Sequence, residues 1–287
     1  MARCLVVFFS QGGTTRRIAE AISSGLRAAG HAVDLHDLRQ GPPPGPAEYE
    51  LLGIGCPAHY YRPALPVSDY VEGLPALAGK PVFGFALHAA HPGDAGSGLR
   101  RALEAKGGRE LGYARFRGQG RFLGYLRLGY QFSPADPVPA AIAEAERFGE
   151  EIAGRLGGKA FAPDAMDPPT PIVYRLERFL TGPFLIRHVY SRLFRVDRAK
   201  CGRCTRCMKS CPTGNIREGR DGRRTWGRDC TLCFACEADC PKGAISSPVT
   251  WALFWPFMVY NTRVAAADAS IEHRRVVHVN GRTSELP

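Results

Sequence analysis

A chain of 287 residues is longer than one average domain, and at roughly 150 residues per domain it predicts two. With 45% hydrophobic, 10% aromatic and 23% charged residues, the disordered and collagen-like classes are excluded and a sizeable core is expected. The charge, 38 − 27 = +11, is compatible on its own with nucleic acid, an anionic membrane surface or an acidic partner. The best apolar run, Val249 to Tyr260, has 12 residues and is interrupted by Pro256, short of the roughly 18 that a spanning helix needs. Met1-Ala2-Arg3-Cys4, followed at once by apolar Leu5 to Phe9, lacks the features of a secretory signal, so a reducing, cytoplasmic setting is expected.

Along residues 1–157, strand-like runs alternate with helical patterns, the signal for a parallel sheet covered by helices. Leu5–Phe9 reads as a strand buried on both faces, Thr14–Ala29 as a helix with Ile18, Ala21, Ile22 and Leu26 on one side, and Ala32–Leu38 as a second strand. Strands at Tyr49–Gly55, Val82–Leu87 and Glu110–Phe116, and helices at Gly98–Lys106 and Pro139–Leu156, complete a doubly wound α/β pattern of five strands. Residues 118–137, with Phe122, Tyr125, Leu126, Leu128, Tyr130 and Phe132, are too long for an ordinary connection. They read as a cover over the site or a partner surface, or as packing on the sheet. Gly157–Pro171 is a Gly/Pro-rich linker, and Ile172–Phe194 is Arg-rich, amphipathic and broken at Gly182-Pro183.

Eight of the ten cysteines lie between Cys201 and Cys240. They form two copies of one pattern, Cys201-x2-Cys204-x2-Cys207-x3-Cys211-Pro212 and Cys230-x2-Cys233-x2-Cys236-x3-Cys240-Pro241. Three thiolates two residues apart wrap three corners of an iron-sulfur cubane, and the fourth cysteine of each run ligates the other cluster. Cys201, Cys204, Cys207 and Cys240 are thus expected to hold one 4Fe-4S cluster, and Cys211, Cys230, Cys233 and Cys236 the second. A zinc ribbon would need four ligands and gives no reason for eight, and disulfides disagree with a reducing setting. Asp221-Gly222 marks a hairpin within Ile216–Trp226. At roughly −2 each, two clusters bring the formal charge from +11 to about +7, so some of the arginines around the cysteines balance cluster charge and others steer an acidic partner.

The first strand runs into Ser10-Gln11-Gly12-Gly13-Thr14-Thr15 and a helix. Hydroxyls, backbone N–H groups and a helix N-terminus meet there, which suits an anion or an ordinary helix cap. The stretch Phe9 to Glu20 resembles the flavodoxin phosphate loop, with Gly12 in place of the usual Thr and Thr14 in place of the usual Asn. With the cysteine runs, the chain from 1 to about 247 resembles the flavodoxin-ferredoxin fusion family.

That resemblance implies a flavodoxin-like, doubly wound parallel five-stranded sheet of order 2-1-3-4-5 and a small α+β ferredoxin-like domain with two 4Fe-4S clusters. The implied division is an FMN-binding domain at 1–157, a linker and amphipathic segment at 158–197, a ferredoxin domain at 198–247 and a tail at 248–287 packed on the domains. FMN would lie at the strand ends against Ser10 to Thr15 and two further loops, Pro57-Ala58-His59-Tyr60-Tyr61 and His88-Ala89-Ala90. Tyr60 or Tyr61 would stack on the ring, and His59, His88 and His91 are the candidate catalytic proton donors. Cys4 and Cys56 read as buried strand residues. The tail aromatics Trp251, Phe254, Trp255, Phe257 and Tyr260 read as a hydrophobic strap or an interfacial anchor.

The function expected is an iron-sulfur flavoprotein oxidoreductase that passes electrons between the clusters and FMN and reduces a small organic substrate at the flavin. The alternative is an electron carrier between protein partners. A redox protein or small-molecule donor is the expected partner. Nucleic acid is not expected, and peripheral membrane contact is not favoured.

Overall fold

The computed structural model describes residues 1–163, 172–248, 251–252 and 254–286. Part of the expected linker, 164–171, and Val249, Thr250 and Leu253 of the tail lie outside the described residues. In chain order the elements are β1 (Arg3–Phe8), α1 (Thr14–Ala28), β2 (Ala32–Asp37), β3 (Leu51–His59), β4 (Arg62–Pro63), α2 (Leu65–Gly73), β5 (Pro81–His88), α3 (Ala95–Ala105) and β6 (Arg109–Arg117). Next come α4 (Leu123–Arg127), β7 (Tyr130–Phe132), α5 (Pro139–Leu156), α6 (Ile172–Leu180) and α7 (Pro183–His188). The remainder holds β8 (Arg195–Val196), α8 (Arg206–Ser210), β9 (Ile216–Glu218), β10 (Arg224–Trp226), α9 (Ala235–Ala238), β11 (Ile245–Ser246), α10 (Trp255–Ala267), β12 (His273–Val279) and β13 (Arg282–Glu285). No helix among the described residues is long and apolar enough to cross a membrane.

The chain divides into two compact units, 1–119 with 135–175, and 120–134 with 176–287. In the first, five parallel strands run β2-β1-β3-β5-β6, the 2-1-3-4-5 order once the short antiparallel β4 is set aside. β1 is apolar from Cys4 to Phe8 because it packs on both faces: Cys4, Val6 and Phe8 meet the cluster that includes Ile18, Ile22 and Phe148, while Leu5, Val7 and the following Phe9 belong with Val67, Val71 and Leu99. β3 continues four residues beyond the expected Gly55, because Ala58 and His59 find partners in Pro63 and Arg62 of β4. α2 was not placed by the sequence reading, and α3 begins at Ala95 instead of Gly98.

In the second unit, β9 and β10 form the hairpin expected around Asp221-Gly222, and β8 pairs antiparallel with β11. Residues 120–134 group with this unit, where β7 pairs with β12 through Phe132 and His273, and Leu123, Leu126 and Phe132 are buried. The pairing spans more than 140 residues, so no local pattern announces it. The described tail is likewise more than a strap: it supplies α10 and the β12–β13 hairpin.

Candidate functional site

Three loops gather at the carboxyl ends of β1, β3 and β5 in the first unit. After β1, Ser10 is fully buried, and its Oγ accepts hydrogen bonds from the N–H groups of Gly13 (3.1 Å) and Arg16 (3.3 Å). Gly13 takes φ +90°, which turns the chain into α1. Ser10 thus caps the helix, while the N–H groups of Thr14 and Thr15 have no partner inside it. The side chain of Thr15 is buried, whereas Thr14 Oγ1 would lie 3.3 Å from a Cβ at Gly118. Arg16 does not leave its charge at this loop: it pairs with buried Asp37 at 2.8 Å, as does Arg39.

After β3, Tyr60 and Tyr61 form the turn to β4 with φ +51° and +61°, a left-handed conformation that tyrosine adopts only at a cost. Tyr61 is buried and stacks on Tyr174 at 4.6 Å, with His91 beside both rings. Tyr60 remains partly exposed. His59 packs edge-on against Phe9, and its buried Nδ1 has no hydrogen-bond partner among the described residues. After β5, the His88 carbonyl accepts from Gly118 N–H, and Arg117 donates to the Ala89 carbonyl. Sequence reasoning missed Arg117 and Gly118. Cys4 and Cys56 are buried, and burial pushes the Cys56 thiol up to about 12, which keeps it inert.

Burial lowers His59 from 6.5 to about 4; for His88, burial first and then Arg117 and Arg115 lower it to about 3. Both rings are therefore neutral in the folded chain, whereas in the unfolded chain they take up protons near 6.5. The unfolded state then binds more protons below that value, so stability is full above about pH 6.5 and falls as the pH drops toward about 4. Urea titrations at about pH 7.5 and about pH 5 should give a lower midpoint at the acid value, and His59→Gln should narrow the gap. Equal midpoints for the parent chain would contradict this account.

In the second unit, the two cysteine runs share one backbone design. The residues just before and just after the middle cysteine are left-handed in both runs: Arg203 (φ +51°) and Thr205 (+59°), then Leu232 (+54°) and Phe234 (+57°). Each fourth cysteine is followed by Pro, a third residue and a left-handed glycine, Gly214 (+60°) or Gly243 (+56°). That turn lets Asn215 N–H donate to Cys211 Sγ and Ala244 N–H donate to Cys240 Sγ, both at 3.3 Å. The glycine repeated three residues after each fourth cysteine is the signal in the sequence that marks this turn.

The eight sulfurs line two cavities. Cys201, Cys204, Cys207 and Cys240 line one, and Cys211, Cys230, Cys233 and Cys236 line the other, each taking three cysteines from one run and the fourth from the other. Burial pushes the Cys230 thiol up to about 12 and Cys236 well above its ordinary value. Two residues of β10, Arg224 and Trp226, stand on one face of the strand: Arg224 lines the first cavity and Trp226 the second. Their period-2 spacing is the signal that could have singled them out.

Residues 5–128 match the family model of the flavodoxin domain, and residues 193–241 match that of the 4Fe-4S dicluster domain. Among solved structures, the chain is similar to a flavodoxin from the domain Archaea at 20% identity, covering 54% of this chain and 99% of that one with a TM-score of 0.43. It is similar to two-electron reduced Megasphaera elsdenii flavodoxin at 21% identity, covering 53% and 98% with a TM-score of 0.42. Oxidised Flavodoxin 1 from Bacillus cereus follows at 15% identity, 53% and 97%, with a TM-score of 0.42. No curated protein matches the chain. A flavodoxin domain followed by a 4Fe-4S dicluster domain is the make-up of a flavodoxin-ferredoxin fusion, and it makes the chain an electron-transfer redox protein.

Proposed function

We propose that this chain is an electron carrier holding two 4Fe-4S clusters and one FMN. Cys201, Cys204, Cys207 and Cys240 would bind the first cluster, Cys211, Cys230, Cys233 and Cys236 the second, and the loops at Ser10–Thr15, Pro57–Tyr61 and His88–Ala90 the flavin. When bound, the flavin supplies exchange between two-electron and one-electron chemistry, and the clusters supply one-electron steps. The observation that carries the reading is the pair of cavities, each lined by four cysteines in the exchanged three-plus-one pattern. Backbone N–H donors aimed at the sulfurs of Cys211 and Cys240 fit iron-bound sulfur.

FMN is supported by the chain's own groups at the first site. The first turn of α1 offers N–H groups and the Thr14 hydroxyl to a phosphate, and no atom lies within 4 Å of where a Gly13 Cβ would stand. His59 Nδ1 is a buried polar atom with no hydrogen-bond partner among the described residues, and Tyr60, half-buried on the same turn, would face a ring. Reduction of a small organic substrate at the flavin is the alternative reading. Burial holds His59 and His88 neutral, below the near-neutral pKa that suits a general acid, which favours the carrier.

Anaerobic purification should give about eight irons and about one FMN per chain, and reduced protein should pass single electrons to a protein acceptor. Stoichiometric zinc with two or fewer irons would refute the cluster assignment. Turnover of an organic substrate faster than electron delivery to any protein acceptor would refute the carrier reading.

A further inference from the structure

We infer that the second unit carries a binding site for a small molecule bearing a di- or triphosphate group, beside the first cysteine set and beyond the electron-carrier reading. The site is a groove of about 700 Å³ between the 191–198 stretch and the β9–β10 hairpin, within the size range of small-molecule pockets. Six guanidiniums line it, from Arg192, Arg195, Arg198, Arg203, Arg223 and Arg224, against one carboxylate, Asp221. Asp221 pairs with Arg198 at 3.4 Å; among the described residues, no carboxylate pairs with Arg192, Arg195, Arg203 or Arg223.

A second observation comes from the floor. The Arg224 side chain is 2% exposed, its Nη1 lies 2.5 Å from Glu218, and it also reaches Cys207, so a buried guanidinium is fixed in place between the groove and the first cysteine cavity. Arg203 is held at the rim, its Cζ 3.2 Å from where a Gly222 Cβ would stand on the hairpin turn.

Cluster charge alone does not account for this surface. The cavity lined by Cys201, Cys204, Cys207 and Cys240 shares Arg203 and Arg224 with the groove, whereas Arg192, Arg195, Arg198 and Arg223 line the groove and neither cysteine cavity. So many unpaired guanidiniums in one small cavity repel one another until several negative charges enter together. Every cation lining it is Arg, whose fork binds phosphate oxygens two at a time. A polyphosphate supplies that charge density on one short chain, and a single carboxylate does not.

The test is calorimetric titration of the anaerobically purified full chain with inorganic triphosphate at near-physiological salt, with citrate and polyglutamate as comparison probes. Saturable binding near one site per chain, weakened at least tenfold in the Arg192→Gln/Arg223→Gln variant, is the expected result. Iron and flavin content should be unchanged in that variant, so a failure here is distinguishable from failure of the cofactor assignment. Absence of saturable triphosphate binding overturns the proposal, as does binding that the double substitution leaves intact. Citrate binding as tightly as triphosphate overturns the phosphate class, and tight binding of polyglutamate alone points instead to an acidic protein partner.

Discussion

Cys240→Ser should lower the iron content of the anaerobically purified chain from about eight to about four, and the cluster lost should belong to the other cysteine run. Cys240 sits ten residues after Cys230 in sequence, yet it lines the cavity of Cys201, Cys204 and Cys207. Cys211 in turn lines the cavity of Cys230, Cys233 and Cys236. The exchange makes double substitutions diagnostic, because two ligands of one cluster act as a unit and two of different clusters act independently. Cys201→Ser with Cys240→Ser should lose no more iron than either alone, whereas Cys230→Ser with Cys240→Ser should lose nearly all of it. Iron analysis with EPR of the reduced protein reads both. If the first pair loses all the iron and the second pair only half, each run binds its own cluster and the exchanged assignment is wrong.

Gly25→Ala should destabilise the first unit by about 3 kcal/mol or more, lowering its melting temperature by roughly 6–12 °C for a domain of this size. α1 and α5 cross at two glycines. A Cβ at Gly25 would stand 2.0 Å from the Glu146 carbonyl oxygen, and one at Gly149 would stand 2.2 Å from the Ile22 carbonyl oxygen. Both obstacles are backbone, so no side chain can swing aside and the helices must separate. Separation would pull Ile18, Ile22 and Phe148 from a shared core on the sheet. The control is Gly73→Ala at the exposed end of α2, where no atom lies within 4 Å and alanine should be neutral or slightly stabilising. Thermal melts followed by circular dichroism compare the two; a Gly25→Ala chain that melts with the parent would rule out the close crossing.

Much of the first site was readable because it is local. The phosphate-type loop, the β3 turn and the β5 turn each lie at the end of a strand whose apolar run is visible in the sequence, and a parallel α/β sheet brings those ends to one edge. What the residues do there was not readable. Tyr60 and Tyr61 looked interchangeable until Tyr61 proved to be stacked on Tyr174, more than a hundred residues away. Nor does the order of residues show that Arg16, beside the loop, is held by Asp37.

The amino-acid order alone determined the eight thiolates in two equal runs, the hairpin between them and the five strands of the first unit. Each of those depends on spacing over a few residues, where side-chain period and turn chemistry act. Only the tertiary structure decided that residues 120–134 build the second unit through β7 and β12, and that unpaired arginines face one another across a groove. Pairings between distant segments are selected by the burial and charge balance of the whole fold, and no window of neighbouring residues contains that information.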